Sequence, residues 1–449
     1  MDLNIVIIGA GEVGYNLAKS LSKGDFDITI IDIDEDKCKK VKQSIDARVI
    51  NGDGVSQRIL QQIDMPNIDY LLALTRIDEV NLVSSKIAYE MGAKKIICRL
   101  RNTEYSHRDA IITPEQFGID KVVYPERAAQ NEIEHLIRQT SAIEIKKFKN
   151  DRITMVGVKI ESSSPLIGRS VENVESSNPY IPHKLALIVR GDSSFIPNAD
   201  TIYKSSDLAY YVSESKNIES IQQMAGKPSF KVQNILILGA GKIGRLLAKR
   251  LESEYNVKII EKNSEKAKKV SSNLSDALIL DADGLNTDFL ESENIEDIDC
   301  FIAATEDEQT NIVASLLVKH YNIKQVIIHI STTSYIQAIR RIGVDAVVCK
   351  NISVVNEVLN IIRSDQDEVP ISCFEEIDVD AVEVKVSAES KYIKKRYSID
   401  KIPQSIRLVC IIRENKILTP NRYTEIIPND EVLIFTKEDM VEKAELLFK

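Results

Sequence analysis

Short apolar runs alternate with longer amphipathic stretches through the first part of the chain. Ile5–Ile8 is a strand-length run, and apolar residues then recur at helical spacing from Val13 to Lys23. Further strand-length runs follow at Ile28–Ile31, Tyr70–Leu74 and Ile96–Leu100. Strands separated by helix-length segments predict βαβ units, hence a parallel sheet covered on both faces. The stretches Glu144–Met224 and Val379–Phe448 read differently, as short strands broken by Gly, Pro, Asn and Asp turns with occasional helices. They predict small α+β modules.

The pattern occurs twice. Gly9-Ala10-Gly11-Glu12-Val13-Gly14 returns in the second half of the chain as Gly239-Ala240-Gly241-Lys242-Ile243-Gly244. The same offset relates Gly52-Asp53-Gly54 to Ala282-Asp283-Gly284, and the segment from Leu71 to the one from Phe301. Arg99 falls opposite His329, and Phe117–Val123 answers Ile342–Val348 after a short slip in the offset. The trailing modules repeat more weakly, with Leu185–Arg190 resembling Leu408–Arg413 and Asp207 answered by Asp430. The expected organisation is therefore α/β, in two tandem units, each a parallel-sheet N-lobe followed by a small α+β C-lobe. The expected boundaries are 1–126, 141–226, 231–350 and 366–449, with Lys227–Asn234 as the junction.

Composition narrows the function class. The 449 residues suit two to four domains. Lys and Arg number 58 against 68 Asp and Glu, a formal charge of −10, which argues against a general nucleic-acid binder. No apolar run approaches the roughly 18 residues a membrane span needs, and the N-terminus lacks the basic start of a signal peptide. A cytoplasmic protein is expected. The six cysteines (Cys38, Cys98, Cys300, Cys349, Cys373, Cys410) form no CxxC pair, so buried thiols are expected and neither disulfides nor a metal site.

The glycine turns carry the candidate chemistry. Each follows a short apolar strand and opens an amphipathic segment. There the first glycine permits a tight turn, the second lets a pyrophosphate approach, and the third lets helix and strand pack closely. The helix N-terminus then offers N–H groups to an anion. Asp32 and Glu261 end the second strand of each copy, where a carboxylate takes ribose hydroxyls and repels a 2′-phosphate. NAD(H) or an adenine nucleotide is thus favoured over NADP(H). The alternative is that the glycines serve packing alone. Glu12 against Lys242 suggests that the first turn prefers NAD(H) and the second accepts ATP or ADP; the alternative is that both side chains face solvent. Asp53 and Asp283 follow the third strand, and Thr75 and Thr305 end the fourth, where open α/β sheets bind ligands. Asp78, Glu79 and Asn81, and Glu306, Asp307, Glu308 and Asn311, come next, with helix capping as their competing role. Arg99 and Arg101 are placed to reach a phosphate, a contact weakened in the second copy by His329. Among the five histidines (His107, His135, His183, His320, His329) none belongs to a recognisable catalytic pattern, so ligand sensing without turnover is expected. For His320, at the end of a helix-like run, an interaction with the helix C-terminus is expected.

Two copies of this glycine-turn lobe, each with a small module containing PLIGRSV-like and LALIVR-like segments, resemble the Trk-type potassium-uptake regulatory family over essentially the whole length. The resemblance implies tandem RCK (KTN) domains, each a Rossmann N-lobe and a small C-lobe. It also implies a non-enzymatic cytoplasmic subunit, peripheral at the inner face of the cell membrane. Such subunits form a homo-oligomeric ring, here a tetramer, beneath a membrane-embedded Trk-type transporter, and gate it according to bound NAD(H) or ATP/ADP. The implied ligand positions are Ala10, Gly11, Glu12, Val13, Gly14, Asp32, Asp53, Leu74, Thr75 and Arg99. In the second unit they are Ala240, Gly241, Lys242, Ile243, Gly244, Glu261, Asp283, Ala304 and Thr305. The stretch Ala128–Gln139 is either a hinge between lobes or an ordinary surface helix. An NAD-dependent oxidoreductase and an RCK regulator of another ion transporter are the competing readings.

Overall fold

The computed structural model describes all residues except 1–2, 23, 25, 139, 141–143, 149–151, 179, 192, 228–229, 366–378, 396, 398, 415 and 438–439. The first lobe runs β1 (Leu3–Ile8), α1 (Glu12–Leu21), β2 (Phe26–Asp32), α2 (Glu35–Ser44), β3 (Arg48–Asn51), α3 (Gln57–Leu60), β4 (Tyr70–Ala73), α4 (Asp78–Glu90), β5 (Ile96–Arg99), β6 (Lys121–Val123) and α5 (Pro125–Arg138). Its six strands are parallel in the order β3-β2-β1-β4-β5-β6. This is the doubly wound order, in which chain direction across the sheet reverses between β1 and β4 and leaves a crevice at the strand C-termini.

The first small module comprises β7 (Glu144–Phe148), β8 (Ile153–Lys159), α6 (Val171–Ser177), β9 (Lys184–Arg190), β10 (Ser193–Phe195), β11 (Leu208–Glu214) and α7 (Ile218–Met224). Its sheet is antiparallel, in the order β10-β9-β11-β8-β7. The second lobe repeats the first: β12 (Asn234–Leu238), α8 (Lys242–Leu251), β13 (Asn256–Glu261), α9 (Ser264–Ser271), β14 (Leu278–Asp281), α10 (Thr287–Ser292), β15 (Cys300–Ala303), α11 (Glu308–Lys319), β16 (Gln325–Ile330), α12 (Ile336–Arg341), β17 (Ala346–Cys349) and α13 (Lys350–Asp365). Its parallel order, β14-β13-β12-β15-β16-β17, is that of the first sheet. The second module holds β18 (Val379–Lys385), α14 (Lys391–Lys394), β19 (Ile406–Arg413), β20 (Lys416–Leu418), β21 (Glu431–Lys437) and α15 (Val441–Phe448), with antiparallel order β18-β21-β19-β20.

Like associates with like. One compact unit is built from Met1–Glu134 and Gln233–Asp365, the other from His135–Val232 and Gln366–Lys449. In the first unit both parallel sheets carry near-continuous apolar strands, as sheets buried on both faces must. Helix α1 packs against α13 of the other repeat, and Ser353 Oγ donates to Glu132 Oε2 at 2.6 Å. In the second unit the two antiparallel sheets share a core that includes Met155, Leu187, Tyr210, Ala381, Leu433 and Phe435. Beside it Glu175 accepts from Lys184, from Arg407 Nη2 at 2.6 Å and from the Leu185 N–H at 3.2 Å. Burial opposes that charge, but Arg407 and Lys184 together hold the carboxyl below its ordinary range.

The helix expected over Val13–Lys23 begins one residue earlier and ends at Leu21; Lys23 lies outside the described residues. So do Gln139, Pro228 and Ser229 of the junction, Cys373, and the expected starts of the small modules at 141 and 366. The other five cysteines are buried free thiols. Among the described residues no helix is long and apolar enough to cross a membrane. The division between the two units falls within α5, at Glu134 and His135.

Each small module contains the same ion pair. The fully buried Asp207 carboxylate accepts from Arg190 Nε at 2.7 Å and Nη2 at 2.8 Å; Asp430 accepts from Arg413 Nε and Nη2, both at 2.8 Å. Arg190→Met leaves Asp207 buried with only the Lys204 N–H among these donors. We expect a loss of about 3–5 kcal/mol, read as a fall in the urea midpoint. A change within about 0.5 kcal/mol, as at an ordinary surface site, contradicts this account.

Candidate functional site

At the C-terminal edge of each parallel sheet the chain leaves β1 or β12 through its glycine turn. Gly9 and Gly239 have φ of +107° and +100°, a left-handed backbone that L side chains resist. A Cβ on Gly14 would lie 1.8 Å from the Gly9 carbonyl oxygen, and one on Gly244 2.0 Å from that of Gly239. The third glycine of each turn is therefore required by the approach of helix to strand. The middle glycines differ. A Cβ on Gly11 would meet nothing within 4 Å, whereas one on Gly241 would lie 3.8 Å from the Ala304 oxygen and from Glu306 Oε1.

Two side chains brace each sheet edge, the first of them at the glycine turn. Asp32 Oδ2 accepts from the Ala10 N–H at 2.6 Å and Oδ1 from the Asp34 N–H at 2.8 Å. Glu261 accepts from Ala240 N–H at 2.9 Å and Asn263 N–H at 3.0 Å. Glu261 also pairs with Lys266 Nζ at 3.2 Å. Burial works against its charge, but those N–H bonds and Lys266 keep its carboxyl below the ordinary value. Asp32 is half-buried and Glu261 buried, so the carboxylate of the first turn is the more open.

The second clamp was not legible as such. Asn81, completely buried, accepts from Thr75 N–H at 2.9 Å and Thr75 Oγ1 at 2.7 Å, and donates to the carbonyls of Thr75 at 3.1 Å and Arg99 at 2.8 Å. Asn311 repeats every bond with Thr305 and His329. It ties the end of the fourth strand to the end of the fifth. The signal available in sequence was an Asn at the same short distance after the strand-ending Thr in both copies. The acidic cluster divides its work: Asp307 caps α11, while Asp78 and Glu308 accept the N–H groups of Arg101 and Asn102, and of Ser331 and Thr332.

The remaining expected residues fall around this edge. Leu74 and Ala304 are buried beneath the turns; Val13, Gly14, Ile243 and Gly244 form the buried bases of α1 and α8. Asp53 and Asp283 are exposed beyond the third strands, each accepting one local N–H. Arg99 is buried, its Nε unpartnered among the described residues; burial lowers its pKa while Glu126 opposes the shift. His329 is buried with neither ring nitrogen partnered among the described residues, and burial, aided by Lys350, pushes its pKa down to about 3. His320 occupies the C-cap position of α11, where its backbone N–H donates to the Leu317 carbonyl.

Glu12 and Lys242 make contacts that the sequence did not suggest. Each bonds a residue of the other repeat; Glu12 is half-buried, while Lys242 remains exposed. The Asn351 amide donates to Glu12 Oε2 at 2.5 Å, and Lys242 Nζ donates to the Arg101 carbonyl at 3.2 Å. Each reaches the other repeat, because the two lobes share one compact unit. Lys242 consequently joins Arg76, Arg101, Asp78, Glu79 and Glu104 around a cleft of about 470 Å³ beside the first lobe's fourth and fifth strands.

A family model described as the TrkA-N domain matches residues 5–125 and 235–350. The chain is 28% identical to the Trk system potassium uptake protein TrkA of Vibrio alginolyticus, over all of this chain and 99% of that protein. It is 31% identical to a Trk system potassium uptake protein TrkA homolog of Archaeoglobus fulgidus, over the full length of both. Among solved structures, the GsuK RCK domain aligns with a TM-score of 0.55 at 14% identity, covering 99% of this chain and 95% of that one. A GsuK channel bound to NAD aligns with a TM-score of 0.56 at 14% identity, covering 99% and 79%. At that identity the likeness shows the fold alone.

Two outcomes test this geometry. Gly14→Ala is expected to destabilise by about 1–3 kcal/mol, the cost of forcing atoms into a packed site, while Gly11→Ala changes the thermal midpoint little; equal effects contradict the close-approach reading. For His329 the unfolded chain binds the extra proton at a pKa near 6.5 and the folded chain only near 3. Its contribution to stability is thus complete above about pH 6.5 and is lost as pH falls toward 3, by about 1.4 kcal/mol per unit. Urea midpoints against pH should fall less steeply in that window for His329→Leu; parallel profiles contradict it.

Proposed function

The chain belongs to the TrkA-N domain family, among the Trk system potassium uptake proteins, and from that premise we propose that it is a nucleotide-responsive regulatory subunit of a Trk-type potassium transporter. The observation that carries the reading is the first glycine turn, open over Gly11 and backed by a half-exposed Asp32. An adenosine ribose sits against Asp32, and a pyrophosphate lies over the N–H groups at the start of α1, where the helix dipole favours negative charge. The distal end of the ligand enters the cleft of Arg76, Arg101 and Lys242, so the first site takes NAD(H) or an adenine nucleotide with further phosphates. The second turn, with Glu261 paired to Lys266 and Glu306 near Gly241, accepts its nucleotide in a tighter cradle.

Binding acts without turnover. A nucleotide shifts the transporter only through its different affinity for two arrangements of the subunit, and α5, which spans the division between the two compact units, is the joint we assign to that change. The subunit works as a homo-oligomeric ring, a tetramer of tandem units, at the cytoplasmic face of the membrane against the transporter. Calorimetric titration of the full chain with NADH, NAD, ATP and ADP tests the reading. Saturable binding is expected, weakened about tenfold or more by Asp32→Asn. That is the scale of losing one hydrogen bond to a charged group. Absence of binding by all four nucleotides overturns it, as does steady consumption of NADH with a small-molecule substrate.

A further inference from the structure

Each glycine turn is linked to the other repeat's loop after the fifth strand, the second through one side chain and the first through two. Lys242, first residue of α8, donates to the carbonyl of Arg101 at 3.2 Å. In the reverse direction Asn351, buried in the first turn of α13, donates through Nδ2 both to Glu12 Oε2 at 2.5 Å and to the carbonyl of Ser331 at 2.8 Å. Arg101 and Ser331 occupy equivalent positions in the two repeats. Their N–H groups are held in the same way, by Asp78 and Glu308.

The two links differ in kind. Lys242 makes a direct contact with a backbone carbonyl. Glu12 acts through Asn351, whose amide nitrogen has two hydrogens, one for each acceptor. Fixing Glu12 therefore fixes the Asn351 amide, and with it the Ser331 carbonyl, two residues beyond His329 at the edge of the second site.

We propose that Asn351 is a positioning residue that couples the two glycine turns of one chain, so that a nucleotide on the first turn raises affinity at the second. The inference rests on the nucleotide reading above. Without ligand, the Glu12 carboxylate divides its attraction between the free N–H groups at the start of α1 and the Asn351 amide. A bound phosphate takes those N–H groups and repels the carboxylate. Glu12 is then confined to Asn351, and the loop at Ser331 is ordered before the second ligand arrives. That ligand no longer bears the ordering cost, which is positive coupling without a change of fold.

The test is titration of the full chain with NADH. Asp32→Asn and Glu261→Gln isolate the second and first sites, and the wild-type isotherm then yields the coupling factor. A factor of about 5 or more is expected, equal in both directions as linkage requires. It should fall to about 1 in Asn351→Leu with the affinities of the isolated sites little changed, and also in Glu12→Ala. It should be smaller than in wild type but not abolished in Glu12→Gln, which keeps an acceptor for the Asn351 amide but loses the charge that the phosphate repels. Independent sites in the wild-type chain overturn the proposal, as does coupling that survives Asn351→Leu. Single-site chains that bind NADH, beside a wild-type chain whose sites are independent, overturn this inference alone; chains that bind no NADH at either site overturn the nucleotide reading with it.

Discussion

Everything at the functional edge depends on one constraint. Where parallel strands end, the backbone must turn sharply while its N–H and C=O groups are already withdrawn from water, and each must find a partner. The chain meets this with two side chains per repeat. Asp32 or Glu261 accepts the N–H at the glycine turn, and Asn81 or Asn311 closes the gap between the fourth and fifth strands. The geometry that makes these edges sterically possible is the contact of Gly14 with Gly9 and of Gly244 with Gly239.

Upon that shared frame the repeats have diverged in charge. Glu12 and Arg76 in the first lobe face Lys242 and Glu306 in the second, a reversal at both positions. Arg99 is answered by a neutral, buried His329. The small modules show the same drift. His183, Tyr203 and Tyr211 are buried in the first, and at the matching positions the second buries Ile406, Ile426 and Ile434. The ion pairs Arg190–Asp207 and Arg413–Asp430 remain unchanged in both, because a fully buried carboxylate cannot lose its partner without a large penalty.

The fold was largely readable before any coordinates. Runs such as Ile5–Ile8 and Tyr70–Leu74 are too short and too apolar for anything but buried strands, and their alternation with amphipathic stretches leaves a parallel sheet as the natural arrangement. The glycine turns were readable because their geometry is local: a positive φ at Gly9 and a missing Cβ at Gly14 belong to one short, continuous segment. Asn81 was visible as a residue but not as a clamp, since its partners Thr75 and Arg99 lie at the ends of two different strands. The cross-repeat contacts of Glu12 and Lys242 were hidden for the same reason. Their charge was clear, but their direction depends on the neighbouring lobe.

The sequence by itself determined the duplication, the strand and helix order, the two glycine turns and the acidic residue behind each, because all of these rest on short-range sterics and periodic burial. Only the tertiary structure decided that lobe pairs with lobe and module with module, that Asn351 lies between Glu12 and Ser331, and that the Lys242 ammonium belongs to the first lobe's cleft. Most of those contacts join residues far apart along the chain. Their partners are chosen by which surfaces the packed cores bring together, and no local pattern records that choice.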